Sequence, residues 1–168
     1  VSSPLILDAC SSFRAMWIDK TNPNTIYMDV RTQKQLEQDW KQDETTNFIY
    51  KLDITCSYEA LPFQNNTFTH IVWDPPHLKS LGETSIFRRK YGVLQADNWR
   101  HSIRTAFKEL WRVLKPYGTL VLKWNTYEIK LSELLCLFSV QPLYGQISRS
   151  KKVSDTFWLC FVKTEASV

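Results

Sequence analysis

No Cys-x-x-Cys pair occurs in the 168 residues. The four cysteines, Cys10, Cys56, Cys136 and Cys160, stand far apart. The three histidines, His70, His77 and His101, offer no metal-ligand spacing. Neither a zinc site nor a disulfide framework is expected, so metal ligands are read as none and the thiols as reduced, in a cytoplasmic protein. No apolar run approaches the roughly 20 residues that span a bilayer, and no signal-peptide pattern opens the sequence. Glycine is scarce, at four residues. There is no repeat, low-complexity tract or linker, which reads as one domain over residues 1–168.

What is present is core-forming material. Hydrophobic residues make up 43% and aromatics 14%, enough to favour a packed core over disorder. The net charge of +4 is a mild bias, compatible with a polyanionic partner.

Short apolar runs alternate with helix-like stretches. Residues 5–8, 25–29, 47–53 and 70–74 each read as a buried strand ending in an acid: Asp8, Asp29, Asp53 and Asp74. Residues 119–124 follow a Pro-Tyr-Gly turn as a fifth strand. Residues 143–144 are a weak strand signal and residues 156–163 a strong one. The clearest helix covers residues 98–114, with Asp97 placed to cap it. Its Trp99, Ile103, Ala106, Phe107, Leu110, Trp111 and Leu114 make one apolar face, and Lys115-Pro116 ends it. Periodicity predicts a second helix over residues 129–138 and weaker ones over 13–18 and 32–40. Residues 38–47 and 77–96 read as loops. Strands separated by helices predict an α/β fold: a Rossmann-like, mostly parallel sheet of about seven strands with helices on both faces. The last two strands should form an antiparallel hairpin at one edge.

In such sheets ligands bind at the carboxyl ends of the strands. A single strand-end aspartate is usually a cap or turn residue. A succession of them suits a nucleoside-type cofactor, whose hydroxyls and amine donate hydrogen bonds. Asp74-Pro75-Pro76-His77 is the most specific feature. The two prolines fix the backbone and cannot donate to a ladder, so the Asp74 carboxylate and the Pro75 carbonyl are held as paired acceptors. Such a pair can grip both hydrogens of an –NH2 group. The amine of a nucleobase is a weak nucleophile because its lone pair is delocalised. Acceptors on its hydrogens favour the pyramidal form that attacks a methyl group.

The order of elements and the Asp74-Pro75-Pro76-His77 motif resemble the class I S-adenosylmethionine-dependent methyltransferases. More narrowly, they are similar to the amino-methyltransferases whose motif is Asp/Asn-Pro-Pro-aromatic, a pattern found in small phage and prophage proteins. The resemblance covers essentially the whole chain. It implies S-adenosylmethionine as cofactor. Asp8 with Ala9, Cys10 and Ser11 should contact its methionine part and Asp29 its ribose diol. Asp53, with Ile54 beside it, should meet its adenine, and Trp73 should wall the pocket. Asp74, Pro75 and Pro76 should hold the target amine. Two features depart from the pattern. The Gly-x-Gly loop after the first strand is replaced by Ala9-Cys10-Ser11-Ser12-Phe13-Arg14, and His77 stands at the aromatic position.

Arg88, Arg89 and Lys90, next to Tyr91, are placed to contact phosphates and bases, or to form an ordinary wet loop. Their position between motif and helix suggests a lid. Arg100, Arg104, Lys108 and Arg112 make a cationic stripe that reads as the wet face of a helix. Lys123 and Trp124, ending the fifth strand, border the expected substrate cleft, and Trp124 equally suits the core. The leading expectation is methyl transfer to the exocyclic amine of a nucleic-acid base, adenine first, in DNA or RNA. A small molecule or protein amide as acceptor, and a non-catalytic binding subunit with a protein partner, are the alternatives.

Overall fold

The computed structural model describes residues 5–41, 50–148 and 154–164. Seven strands form one sheet: β1 (Ile6–Asp8), β2 (Thr25–Asp29), β3 (Ile54–Thr55), β4 (Phe68–Trp73), β5 (Leu114–Asn125), β6 (Tyr144–Ser148) and β7 (Thr156–Val162). The order is β3-β2-β1-β4-β5-β7-β6. The first five strands pair in parallel, and β7 runs antiparallel to both β5 and β6. The helices are α1 (Gln33–Lys41), α2 (Ile86–Tyr91), α3 (Trp99–Val113) and α4 (Leu131–Leu135). The predicted mostly parallel sheet of seven strands, with helices and an antiparallel pair at one edge, is thus the observed fold. Among the described residues no helix is long and apolar enough to cross a membrane.

Strand alternation divides the sheet into two chemistries. In register, Leu7 stands beside Ile71, Ile71 beside Leu120, and Leu120 beside Phe161. All four are fully buried, and with Trp73, Leu122, Trp124 and Leu159 they form the core face. On it lies the apolar side of α3, with Trp99, Ile103, Ala106, Phe107, Leu110 and Val113 buried. Phe107 stacks on Phe138 at 4.1 Å and meets Phe161 edge-on at 5.3 Å. The opposite parity carries Asp8, Val72, Val121 and Cys160 side by side.

Several boundaries differ from expectation. Residues 13–18 form turns, not a helix. Their side chains bond outward from the local backbone instead: the Trp17 indole donates to Asp8 at 2.7 Å, and the buried Arg14 lies 3.4 Å over the Tyr27 ring. Asn98, not Asp97, is the residue before α3, and its side chain makes no cap bond. Trp111 is only half-buried. The predicted helix over 129–138 shortens to Leu131–Leu135. Residues 42–49, which hold most of the polar stretch and the start of the predicted strand 47–53, lie outside the described residues. Tyr50–Asp53 are not strand. β3 begins only at Ile54, so Asp53 precedes a strand rather than ending one. Residues 77–96 contain a helix, α2, that periodicity alone did not reveal.

The Phe107 ring is the central contact between α3 and the sheet. Phe107→Ala is expected to cost about 3–5 kcal/mol, read as a lowered midpoint in urea denaturation.

Candidate active site

The carboxyl ends of β1, β2 and β4 converge. Asp8 and Asp29 close their strands, and Asp74 follows Trp73 at the end of β4. Because Asp8 pairs with Tyr27 and Val72, the side chains of Asp8, Asp29 and Asp74 share one face by parity. Asp8 and Asp29 are almost fully buried, at 3% and 1% exposure. Each acid is satisfied differently.

Among the described residues Asp8 forms no ion pair, although the Arg14 charge acts on it from nearby. It accepts from the Trp17 indole N–H at 2.7 Å and the Cys10 backbone N–H at 3.2 Å. Burial pushes its carboxyl up to about 7, opposed by those two hydrogen bonds and reinforced by the Asp74 charge. The same burial, with the carboxylates of Asp29, Asp74 and Asp8, holds the Cys10 thiol well above its ordinary value. Ser11 is buried, and its Oγ has no partner.

Asp29 is engaged on both oxygens by Arg31, at 3.0 Å to Nε and 3.1 Å to a terminal nitrogen. The Ser12 backbone N–H adds a bond at 3.2 Å. Arg31 also reaches Asp39 at 3.3 Å. Burial works against the guanidinium charge, but the Asp29 hydrogen bonds and charge outweigh it and raise Arg31 above its ordinary value. The loop between, which lacks glycine, turns with Ser12 at φ 37° and Arg14 at φ 53°. Non-glycine residues therefore hold left-handed conformations where glycine is cheapest, at about 1 kcal/mol or more apiece.

Asp74 accepts from Lys123 Nζ at 2.7 Å. Lys123 sits on β5 beside the register position after Trp73, and packs over the Trp158 ring of β7 at 5.8 Å. His77 meets Trp124 edge-on at 6.3 Å. Burial lowers its pKa, so the imidazole is neutral near pH 7 although Asp74 pulls the other way. Behind the motif, α2 ends at Gly92, whose φ of 76° suits glycine and where a Cβ would come within 3.2 Å of the Pro76 ring.

Two cavities meet at Asp74. One is narrow, with about 10 Å³ of open space, room for little more than one water. Asp8, Cys10, Ser11, Phe13, Asp74 and Tyr91 are among its walls. The other is an open cleft of about 530 Å³ bordered by Asp74, His77, Phe87, Tyr91, Lys123, Asn125 and Tyr127. Asp74 and Tyr91 belong to both.

The structure thus brings together Asp8, Cys10, Ser11, Asp29, Asp74, His77, Tyr91 and Lys123, with Ala9 buried beneath them. Pro75 is buried and Pro76 half-buried behind the acid. Others stand elsewhere. Asp53 hydrogen-bonds the Tyr27 backbone N–H at 2.9 Å and lines a separate surface pocket with Arg14, Tyr50 and Lys51. Its neighbour Ile54 packs against the core. Trp73 faces that core, against Tyr58 and Phe138, because its strand parity is opposite to that of Asp74. Trp124 is fully buried and donates to the Ile129 carbonyl at 3.3 Å, so it backs His77 instead of lining the cleft. Arg88 and Arg89 each donate to a carbonyl of their own loop, Leu81 and Thr84, both at 2.9 Å. Lys90 lies over the Phe13 ring at 5.6 Å. Sequence reasoning missed Arg31, Trp17 and Tyr127. Only Arg31 left a signal, as a cation two residues beyond a strand-end acid. Among the described residues no group of three or more His, Cys, Asp or Glu side chains gathers as a metal site.

No protein-family profile matches the chain, and no curated protein is similar to it in sequence. Solved structures share its fold. The [4+2]-cyclase SpnF matches with a TM-score of 0.60 at 12% identity, over 97% of this chain and 75% of that one. TrmN from Thermus thermophilus matches at 0.59 and 12%, over 94% of this chain and 44% of that one. Geranyl diphosphate methyltransferase, in complex with GPP and sinefungin, matches at 0.59 and 9%, over 98% and 74%. One of these three is a cyclase, so the shared fold does not by itself name the reaction.

Since burial favours the protonated form of Asp8, this carboxyl contributes stability that is complete below its ordinary value of 3.8. That contribution is lost as pH rises through about 7. Asp8→Asn cannot ionise. It is expected to match the native protein at about pH 4 and to exceed it at about pH 8 by up to roughly 4 kcal/mol. Denaturation at the two pH values checks this, and an unchanged difference would contradict it.

Proposed function

We propose that the chain is an S-adenosylmethionine-dependent methyltransferase acting on an exocyclic amino nitrogen of a nucleic-acid base, adenine first. The observation that carries this reading is the position of Asp74, the one carboxylate in the walls of both cavities. A group so placed faces an acceptor in the wide cleft on one side and the strand-end acids on the other. The fold, shared with methyltransferases and with one structure holding sinefungin, an S-adenosylmethionine analogue, supports the same choice of cofactor.

The chain's own groups fit that cofactor in their chemistry. Asp8 is placed for an amino group and the Ser11 Oγ, without a partner among the described residues, for a further polar contact, while Asp29 would take a diol only in place of Arg31. When bound, S-adenosylmethionine supplies an electrophilic methyl group. Asp74 then has three tasks. With Oδ2 held by Lys123, its other oxygen accepts a hydrogen from the amine, orients the nitrogen and is placed to take the proton it sheds. Lys123 fixes the carboxylate in one rotamer and balances its charge. Neutral His77, backed by Trp124, offers a ring edge to a planar acceptor. Exposed Phe87 and Tyr127 border the same cleft and can stack on neighbouring bases, which suits a single strand or a base turned out of its duplex.

Asp74→Ala is expected to leave S-adenosylhomocysteine affinity unchanged and to lower methyl transfer to an adenine-containing oligonucleotide by about 100- to 1000-fold or more. Release of label from methyl-labelled S-adenosylmethionine into the oligonucleotide reads it, and native-level transfer by the variant would sink the role of the motif. Native binding to the oligonucleotide should also weaken as salt rises. Salt-independent binding would move the acceptor to an uncharged small molecule or a protein amide.

A further inference from the structure

The acid placed for a diol is already occupied, and its occupant holds the wall of the other cavity. Arg31 binds both oxygens of Asp29 with one edge of its guanidinium. Its remaining donors reach the main chain at the end of α2: the Arg89 carbonyl, and the Lys90 carbonyl at 3.3 Å. Ser12, from the loop after β1, adds its hydroxyl to the same Lys90 carbonyl at 2.6 Å and accepts from Arg31 at 3.1 Å. One knot of five residues thus ties β2, the β1 loop and α2. The helix has no buried residue of its own to hold it down. Its Phe87 and Tyr91 form part of the wide cleft, and Tyr91 also walls the narrow cavity.

We infer that Arg31 couples the two cavities: a ligand whose vicinal diol takes the oxygens of Asp29 displaces Arg31, loosens α2, and so frees Tyr91, the wall shared by the narrow cavity and the open cleft. This rests on the cofactor reading given above. The physical reason is exclusion. Asp29 has two oxygens, both are used by Arg31, and a diol needs the same two. Asp39, 3.3 Å away on α1, is then the carboxylate left to Arg31 among the described residues, and turning to it takes the guanidinium off Ser12 and the Lys90 carbonyl. Pro76, packed against Gly92, passes the movement of the end of α2 to the motif that carries Asp74. Arg31 is a positioning residue in this account and touches neither methyl donor nor acceptor.

Amide hydrogen exchange at residues 86–92, with and without S-adenosylhomocysteine, tests this in the full chain. In the native protein the ligand should speed exchange there by about tenfold. Arg31→Ala should show the fast rate without ligand and little further change with it. Ser12→Ala removes the two bonds of the Ser12 hydroxyl without leaving a buried charge unpaired. It should fall between the two, which guards against misfolding of the Arg31 variant. Binding of the ligand with unchanged or slowed exchange at 86–92 overturns the coupling, as does a ligand-free Arg31→Ala that exchanges at the native rate while retaining its circular dichroism. Failure of the cofactor reading looks different: no heat of binding appears with any of the three proteins. The latch is then judged on the ligand-free rates alone, upheld by faster exchange in Arg31→Ala and rejected by its absence.

Discussion

The parallel pairing of β1 with β2 and β4 is the constraint on which the rest depends. It sets Asp8 beside Tyr27 and Val72, and so turns Asp8, Asp29 and Asp74 to one face at one end of the sheet. The same alternation turns Leu7, Ile71 and Leu120 to the other face, under α3. A slip of one residue in β1 would exchange the two sets, burying an acid in the aliphatic core and exposing a leucine. Core and site are therefore fixed together, and the burial of one holds the geometry of the other.

Three acids gathered in a poorly solvated corner repel one another, and the structure answers in three ways. Asp29 takes a guanidinium, Asp74 takes an ammonium, and Asp8 is left with an indole and a main-chain N–H. Burial, only partly offset by the nearby Arg14 charge, makes Asp8 hold its proton more tightly. Only the Lys123 pairing leaves an acid bordering both cavities, which is why Asp74 is the group best placed for chemistry. The Arg31 pairing does the opposite. It covers Asp29 and bonds the main chain at the end of α2. A loop without glycine closes this corner with Ser12 and Arg14 in left-handed backbone, stiffer than a glycine-rich loop would be.

Much of the fold was legible in the sequence because strands β1, β2, β4, β5 and β7 are short apolar runs between polar turns, and α3 repeats its apolar face cleanly. The motif at the end of β4 was legible because Pro-Pro after an apolar run has few structural uses. The rest was hidden for identifiable reasons. Residues 13–18 have helix-like spacing, but Trp17 and Arg14 gain more from Asp8 and Tyr27 than from a helix. In α2 the sequence is cationic and its one turn and a half is held by partners distant in sequence, Ser12 and Arg31, so local pattern carries no trace of it. Asp53 looked like a fourth strand-end acid, yet β3 starts one residue later and turns it to the Tyr27 backbone. Trp73 and Trp124 neighbour the functional positions in sequence, but strand parity puts each in the core.

The measurement that tests the account most directly is a calorimetric titration of the protein with S-adenosylmethionine. The account predicts one site per chain with affinity in the micromolar range, about −8 kcal/mol. Absence of binding across the millimolar range would contradict it, leaving the row of acids at the sheet end without the ligand it is argued to hold.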